Sequence, residues 1–341
     1  MKSAKSHTEK NTERTFQTVS FYPASAAIIR PPTAGKRNDL NNGPAGPAGL
    51  GKSAKQLVAR LDFFKTNAIV QKNNLTGRNK MIEGYYIVDA HCHPIADDAG
   101  GCLVNAYGTP STEKDFFAEM RAGGIDFCCG SVLQSASNPG MDGTVQCNAA
   151  AFRLEREYPD YYQPGICIQA GFVRESIAEL EKYHRQGVSW LGEIVPNRHG
   201  YTAYSSPEML EIFAAARDLG MTVSIHPTDN EDISRLMENL PDLNVVAAHP
   251  GERPNVLERA EMMRRFPKLH WDLSGTGLFR WGMLKYLVDR CGAEKILFGT
   301  DFPICNIAMQ IYGVLAEHIS DKARTAIFSG NFKRLSGRTE N

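Results

Sequence analysis

Nowhere in its 341 residues does the chain offer a run approaching the about 18 uninterrupted apolar residues that a membrane-spanning helix needs. Its start lacks the charged-then-apolar layout of a secretory signal. None of its eight cysteines falls in a Cys-x-x-Cys pair, which argues against zinc-ribbon and dithiol frameworks, and most sit in apolar runs. A reduced, cytoplasmic setting with no membrane partner is the expectation. Net charge is also missing, with 38 basic and 38 acidic side chains, but the balance hides a split. Residues 1–80 carry 14 Lys and Arg against 4 Asp and Glu, and the rest carries 24 against 34. An acidic body speaks against extended nucleic-acid binding by the folded part.

What is present falls into two parts. Residues 1–80 are rich in Lys, Ser, Thr, Asn, Gly and Pro, and include the run Gly43-Pro44-Ala45-Gly46-Pro47-Ala48-Gly49. Such a segment buries too little apolar surface to offset its ordering entropy, so a disordered extension is expected, with one amphipathic patch at Ser53 to Val70. Met81 marks the change to a folded pattern and reads as an alternative start; residues 81–341 read as one catalytic domain. Short apolar, β-branched runs alternate there with helical-length segments. Eight strands are predicted: Tyr86–His93, Ile125–Gln134, Gly165–Ala170, Ser189–Val195, Thr222–Pro227, Asn244–His249, His270–Ser274 and Ile296–Asp301. Regular alternation implies right-handed βαβ units and a parallel sheet, and eight units in this length imply an α/β fold of the (β/α)8 TIM-barrel type. An open doubly wound sheet is the rival, but the first strand is not followed by a glycine-rich phosphate turn. A last helix, Asp321–Leu335, is expected to pack outside the barrel.

In such a barrel, chemistry gathers where the strands end. The first run closes on His91-Cys92-His93, whose histidines lie two apart and so share a face. The fourth run ends on Glu193, the fifth on His226, the sixth on His249 and the eighth on Asp301. A lone strand-end histidine is more often a satisfied polar group than a ligand. Six polar endings in one chain point to a metal or catalytic site. Asp89 shares the histidines' parity and reads as a supporting group, while Cys92 reads as a small packed hydrophobe.

The set His91-x-His93, Gly192-Glu193, His226, His249 and Gly299-Thr300-Asp301 resembles the metal-dependent amidohydrolase superfamily, in its amidohydrolase-2 branch of TIM-barrel hydrolases and decarboxylases. The likeness runs from Tyr86 to Gly330-Asn331-Phe332-Lys333-Arg334-Leu335. It implies that His91, His93 and Asp301 bind a divalent ion, Zn2+ first and Mn2+ second, with His226 joining them or serving a second ion. Glu193 departs from many mononuclear members. As a bridge it would give His226 and His249 a second ion; with one ion, His249 is a free base. The resemblance implies a hydroxide made from metal-bound water at neutral pH, with Asp301 moving its proton.

Substrate contacts are expected from loops: Arg198, His199 and Tyr201 after the fourth strand, and Arg253 after the sixth, an arginine being suited to a carboxylate. Pro94 to Thr109 reads as a lid. The leading expectation is hydrolysis of a small, carboxylate-bearing amide, ester or lactone. Non-oxidative decarboxylation is the alternative, ahead of a TatD-like nuclease or a non-catalytic binding barrel. The expected partner is a small-molecule substrate, with homo-oligomer formation left open.

Overall fold

Eight short parallel strands carry the structure: β1 Val88–Cys92, β2 Phe127–Gly130, β3 Tyr162–Pro164, β4 Trp190–Ile194, β5 Thr222–Ile225, β6 Val245–Ala247, β7 Leu269–Asp272 and β8 Ile296–Leu297. A computed structural model of the chain describes residues 82–103, 107, 108 and 110–338, all within the unit Thr76–Asn341. The basic extension, its Ser53–Val70 patch, Met81 and part of the Pro94–Thr109 segment lie outside the described residues. Among the described residues no helix is long and apolar enough to cross a membrane.

The strands pair as β1-β2-β3 and as β4-β5-β6-β7-β8, all in parallel. Two seams join these sheets into a closed barrel. On one, Ile166 N donates to Trp190 O and Gly192 N to Ile166 O; on the other, Ala90 N donates to Phe298 O and Asp301 N to His91 O. Closure leaves no free sheet edge, and every strand residue is buried, as continuous apolar runs in a helix-covered parallel barrel require.

Helices follow the strands in the expected order. Thr112, Ser206, Asp229 and Asn306 each start one by accepting a backbone N–H from three residues ahead. Several predicted elements differ from the observed ones. The third strand lies earlier, at Tyr162–Pro164, with Pro164 as the last rung of the β2–β3 ladder beside Gly130. The helix expected over Leu278–Cys291 begins only at Met283, where the buried Glu317 carboxylate accepts from Gly282 N and Lys285 N. The last helix is broken by a wide turn at Ala326–Gly330.

That last segment does not pack outside the barrel. Ser189, just before β4, donates to Ser336 O, and Thr222 at the start of β5 donates to Leu335 O. Phe332 and Leu335 cluster with Val88 and Ala90 of β1, Phe127 and Cys129 of β2, Trp190 of β4, Val246 of β6 and Leu297 of β8. A layer of apolar side chains filling the interior is the packing such barrels use. The segment therefore plugs the N-terminal end of the barrel, so the opposite end is left for chemistry.

Near the plugged end, His270 in β7 is buried and its Nδ1 donates to Lys268 O at 3.0 Å. Burial disfavours its charged form, aided by Lys295 and Arg334, and lowers its pKa to about 3. Its unfolded value lies near ~6.5, so below that pH the unfolded chain binds the extra proton and stability falls with pH. For His270 the expected loss between pH 7 and pH 5 is about 2 kcal/mol, and His270→Gln should remove that part of the slope. Urea unfolding midpoints at the two pH values test this; an unchanged slope in the variant would refute it.

Candidate metal centre

At the open end, the donors named from strand endings come together around Glu193. His91 Nε2 and His93 Nε2 stand 3.3 Å apart. Glu193 Oε2 lies 3.5 Å from the first and 3.4 Å from the second. Asp301 Oδ1 lies 3.7 and 3.4 Å from the same two nitrogens. The other Glu193 oxygen, Oε1, is 2.9 Å from His226 Nδ1 and 3.7 Å from His249 Nε2. Two overlapping groups have all their donor atoms within 4.8 Å of one another: His91, His93 and Asp301, and His91, Glu193 and His249. His226 belongs to neither group. It is the most open of the six, with 40 % of its side chain exposed, and it stands against Glu193.

Local sequence explains how these side chains are aimed. The β1–β2 register shifts between Asp89 and Cys92, and the β4–β5 register shifts between Leu191 and Ile194, so each irregularity falls on the donors themselves. Irregular pairing of this kind re-aims a side chain at a strand end. Gly192 permits the second one: its φ is +99°, and a Cβ there would lie 2.2 Å from Ser224 O. Gly299 serves the first strand differently, since a Cβ there would come within 2.8 Å of His91 Cβ. His249 and Asp301 have φ of +54° and +62°, the left-handed region that non-glycine residues seldom occupy. Both occur where the chain leaves a strand and must turn a donor inward.

A second ring of groups sets the imidazoles. Asp272 Oδ2 accepts from His91 Nδ1 at 2.9 Å, and the Ser131 carbonyl accepts from His93 Nδ1 at 3.2 Å. A carbonyl can only accept, so a neutral His93 carries its proton on Nδ1 and turns a lone pair inward at Nε2. Ser274 Oγ stands 3.0 Å from His91 Nδ1 and 3.1 Å from His249 Nδ1. The His249 backbone is pinned in turn. The buried Arg259 donates from Nη1 to His249 O at 2.7 Å, and Trp271 Nε1 donates to the preceding Ala248 O at 2.8 Å. Asp89 ties β1 to the residues after β8, accepting at Oδ1 from Thr300 N and His91 N, both at 3.0 Å.

These contacts fit a metal ion. With ligand bonds of ~2.0–2.1 Å, donors at the corners of a tetrahedron stand roughly 3.3–3.4 Å apart, close to the separations seen here. Two imidazole lone pairs and two carboxylates at this range repel one another unless a cation sits among them. Without one, protons take that part. At His93 burial favours the neutral ring, but Asp301 and Glu193 outweigh it and lift the pKa to about 9. At His91 burial is likewise overcome, by Asp272 and Glu193. Glu193 is driven well below the usual carboxylate range: burial acts against this, but His91 and His226 prevail. His249 is shifted downward by burial, so its imidazole is neutral at pH 7.

Three of the groups expected near the substrate meet backbone carbonyls. Arg198 spends its guanidinium on the carbonyl oxygens of Gln134 and Ala136. His199 is buried, with Nδ1 2.9 Å from Val195 O, and burial lowers its pKa to about 4. Tyr201 is buried and donates to Ile194 O at 3.2 Å. A polar loop crossing the barrel end must satisfy the strand's terminal carbonyls, and these residues do so. Arg253 is exposed, on a cleft beside the β6 end. Asp272 and Ser274 also contribute; in sequence they alternate with His270, so an inward face would carry Ser274 to the pocket, and here both residues reach His91.

Loss of the outer ring is expected to loosen the centre without unfolding it. Asp272→Asn should weaken divalent-ion binding about 10–100-fold. Competition against a chromophoric chelator reads this, with circular dichroism as the folding control. Unchanged affinity in a folded variant would mean that Asp272 does not orient His91.

A family model described as Amidohydrolase matches residues 88–337. Solved structures share the fold. An uncharacterised TIM-barrel protein from Bordetella bronchiseptica is 22% identical, with 74% of this chain and 99% of that one covered at a TM-score of 0.56. The 5-carboxyvanillate decarboxylase of Sphingomonas paucimobilis is 16% identical, with 75% and 100% covered at 0.58. A dihydroxybenzoic acid decarboxylase from Polaromonas, solved with manganese and the inhibitor 2-nitroresorcinol, is 15% identical, with 74% and 97% covered at 0.53. No curated protein sequence matches the chain.

Proposed function

Because the chain belongs to the amidohydrolase family, we propose that it is a metal-dependent enzyme that removes carbon dioxide, without oxidation, from a small hydroxylated aromatic acid. The observation that carries the metal requirement is the pair His91 Nε2 and His93 Nε2, 3.3 Å apart, with Glu193 Oε2 and Asp301 Oδ1 each 3.4–3.7 Å from both nitrogens. These four residues are the proposed ligands. Manganese in the Polaromonas relative supports a divalent ion of that kind over zinc. The decarboxylase relatives support carbon dioxide loss over the hydrolysis expected from sequence.

A divalent ion held in the cage would act as a Lewis acid on a substrate oxygen. The remaining work falls to the chain. When the bond to the carboxylate carbon breaks, its electron pair stays on the ring carbon, which must then receive a proton. His249 is placed to handle protons: Ser274 holds its Nδ1, and its neutral Nε2 faces Glu193 and can take the proton of a substrate hydroxyl. Asp301 directs Oδ1 to the two imidazoles, so Oδ2 can relay to that carbon the proton His249 takes from the hydroxyl. The closed barrel and plugged far end restrict water to the open face, which favours protonation at one position.

One observation favours hydrolysis as a second reading. Glu193 turns one oxygen to His91 and His93 and the other to His226 and His249, as a bridge between two ions would. Two ions per chain, with one lost in Glu193→Gln, would support that reading and oppose ours.

The direct test strips the protein with a chelator, reloads it with Mn2+, and assays 2,6-dihydroxybenzoate and 5-carboxyvanillate for carbon dioxide alongside a lactone and amide panel for released acid. We expect carbon dioxide from the reloaded enzyme and none after stripping or in Asp301→Asn. Acid release without carbon dioxide would replace decarboxylation by hydrolysis, and failure to bind any divalent ion would end the metal reading. The ion must also displace the proton that His93 holds below about pH 9 and the one that Asp272 and Glu193 favour on His91. Affinity should therefore rise with pH from 6 towards 9 and proton release accompany binding, read by calorimetry in buffers of different ionisation enthalpy. Binding that is flat with pH would show that both imidazoles are already neutral.

A further inference from the structure

We infer that the cleft between the loops following β6 and β7 is a second binding site, for a small monocarboxylate with an aromatic body. The cleft encloses about 530 Å³, within the range of small-ligand pockets. Val256 and Met283, both buried, form apolar floor, and Leu257 and Tyr286 line it further. On its rim Trp281 exposes 70 % of its surface. The indole is not adrift: His318 meets it edge-on, with ring centroids 5.1 Å apart. A large aromatic held in place yet left open beside a cavity is suited to stacking on another ring.

Charge narrows the occupant. Three charged residues line the cleft, and two cancel. Arg280 donates to Glu252 Oε2 from Nε at 3.0 Å and from Nη2 at 2.5 Å, which joins the two loops and leaves no charge over. Arg253 is exposed on the same cleft and has no hydrogen bond or ion pair among the described residues. One uncompensated guanidinium beside one open indole matches one carboxylate on one ring, with the fork of the arginine taking both carboxylate oxygens. An acid without a ring forgoes the stacking, and a ring without a charge leaves Arg253 unmatched.

The site is separate from the metal cage and does not depend on the reaction proposed for it. Its wall begins at Gly251, two residues beyond His249, in the segment whose carbonyl Arg259 holds. An acid bound there would lie against the chain that carries the centre's imidazole.

Salicylate is a suitable probe, and tryptophan emission a suitable reporter. The chain has three tryptophans, and Trp190 and Trp271 are fully buried, so quenching reports on Trp281. Metal-stripped full-length protein titrated with salicylate should show saturable quenching at millimolar concentration or below. Arg253→Gln, an exposed substitution, should weaken binding about tenfold or more, the scale of a lost charged hydrogen bond. Benzamide and acetate should each bind more weakly than salicylate. In Trp281→Phe the quenching should vanish while ligand-detected NMR still reports binding. Quenching that is unchanged in Arg253→Gln would overturn the inference. So would binding that appears only after metal is restored, which would put the acid in the cage. Ligand-free quenching that grows with protein concentration, with a doubled mass in light scattering, would assign the cleft to a second copy of the chain instead.

Discussion

Two imidazole nitrogens stand 3.3 Å apart at the mouth of the barrel with two carboxylate oxygens each within 3.7 Å of both, and most of the structure near them serves that crowding. Lone pairs and carboxylates do not gather at such range on their own. Three are fixed from behind: Asp272 and Ser274 on His91, the Ser131 carbonyl on His93, and His226 on the far oxygen of Glu193. The outer groups bind the side of each ring that faces away from the cage, so they choose which nitrogen is free. Orientation and tautomer are thus decided by the same contacts.

The backbone bears part of the cost. His249 and Asp301 occupy the left-handed region, which disfavours residues with a Cβ by roughly 1–2 kcal/mol each. Such conformations persist only where surroundings over-determine them. Here the clamps are identifiable. Arg259 and Trp271 hold two successive carbonyls at the end of β6, with the guanidinium over the indole at 4.9 Å. Asp89 and the first strand hold the segment after β8 through Thr300 N and Asp301 N. Burial raises the pKa of the Asp89 carboxyl to about 7, against the hydrogen bonds from Thr300 and His91 that favour its charge. Fixing the donors is therefore a task shared between strand ends and the helix-borne residues packed behind them.

Loops on this face divide into two kinds. In the segment after β4, Arg198, His199 and Tyr201 each meet a backbone carbonyl oxygen. The segments after β6 and β7 are joined to each other by Glu252 and Arg280, and they leave Arg253 and Trp281 facing solvent. Among the described residues, the β6–β7 side thus keeps an exposed arginine and an exposed indole on one cleft.

The parts of this arrangement that repeat locally were legible in the residues. Alternating strand and helix signals gave the parallel barrel, and the period of two along β1 put His91 and His93 on one face. Glu193, His226, His249 and Asp301 could be named because each closes an apolar run, and strand ends in a barrel converge whatever the loops do. Register, by contrast, is set between distant segments. Nothing near Pro164 says that it is the last rung beside Gly130, and nothing in the Asp321–Leu335 stretch says that it plugs the barrel. For the same reason Arg198 looked like a free cation until its partners at Gln134 and Ala136 were brought beside it. Asp272 looked like an interior strand residue until β7 was set against β8 and its carboxylate met His91 from 181 positions away. Residue type and local period thus determined which groups reach the site, and tertiary structure alone decided which atoms they present, because that choice belongs to neighbours far away in the chain.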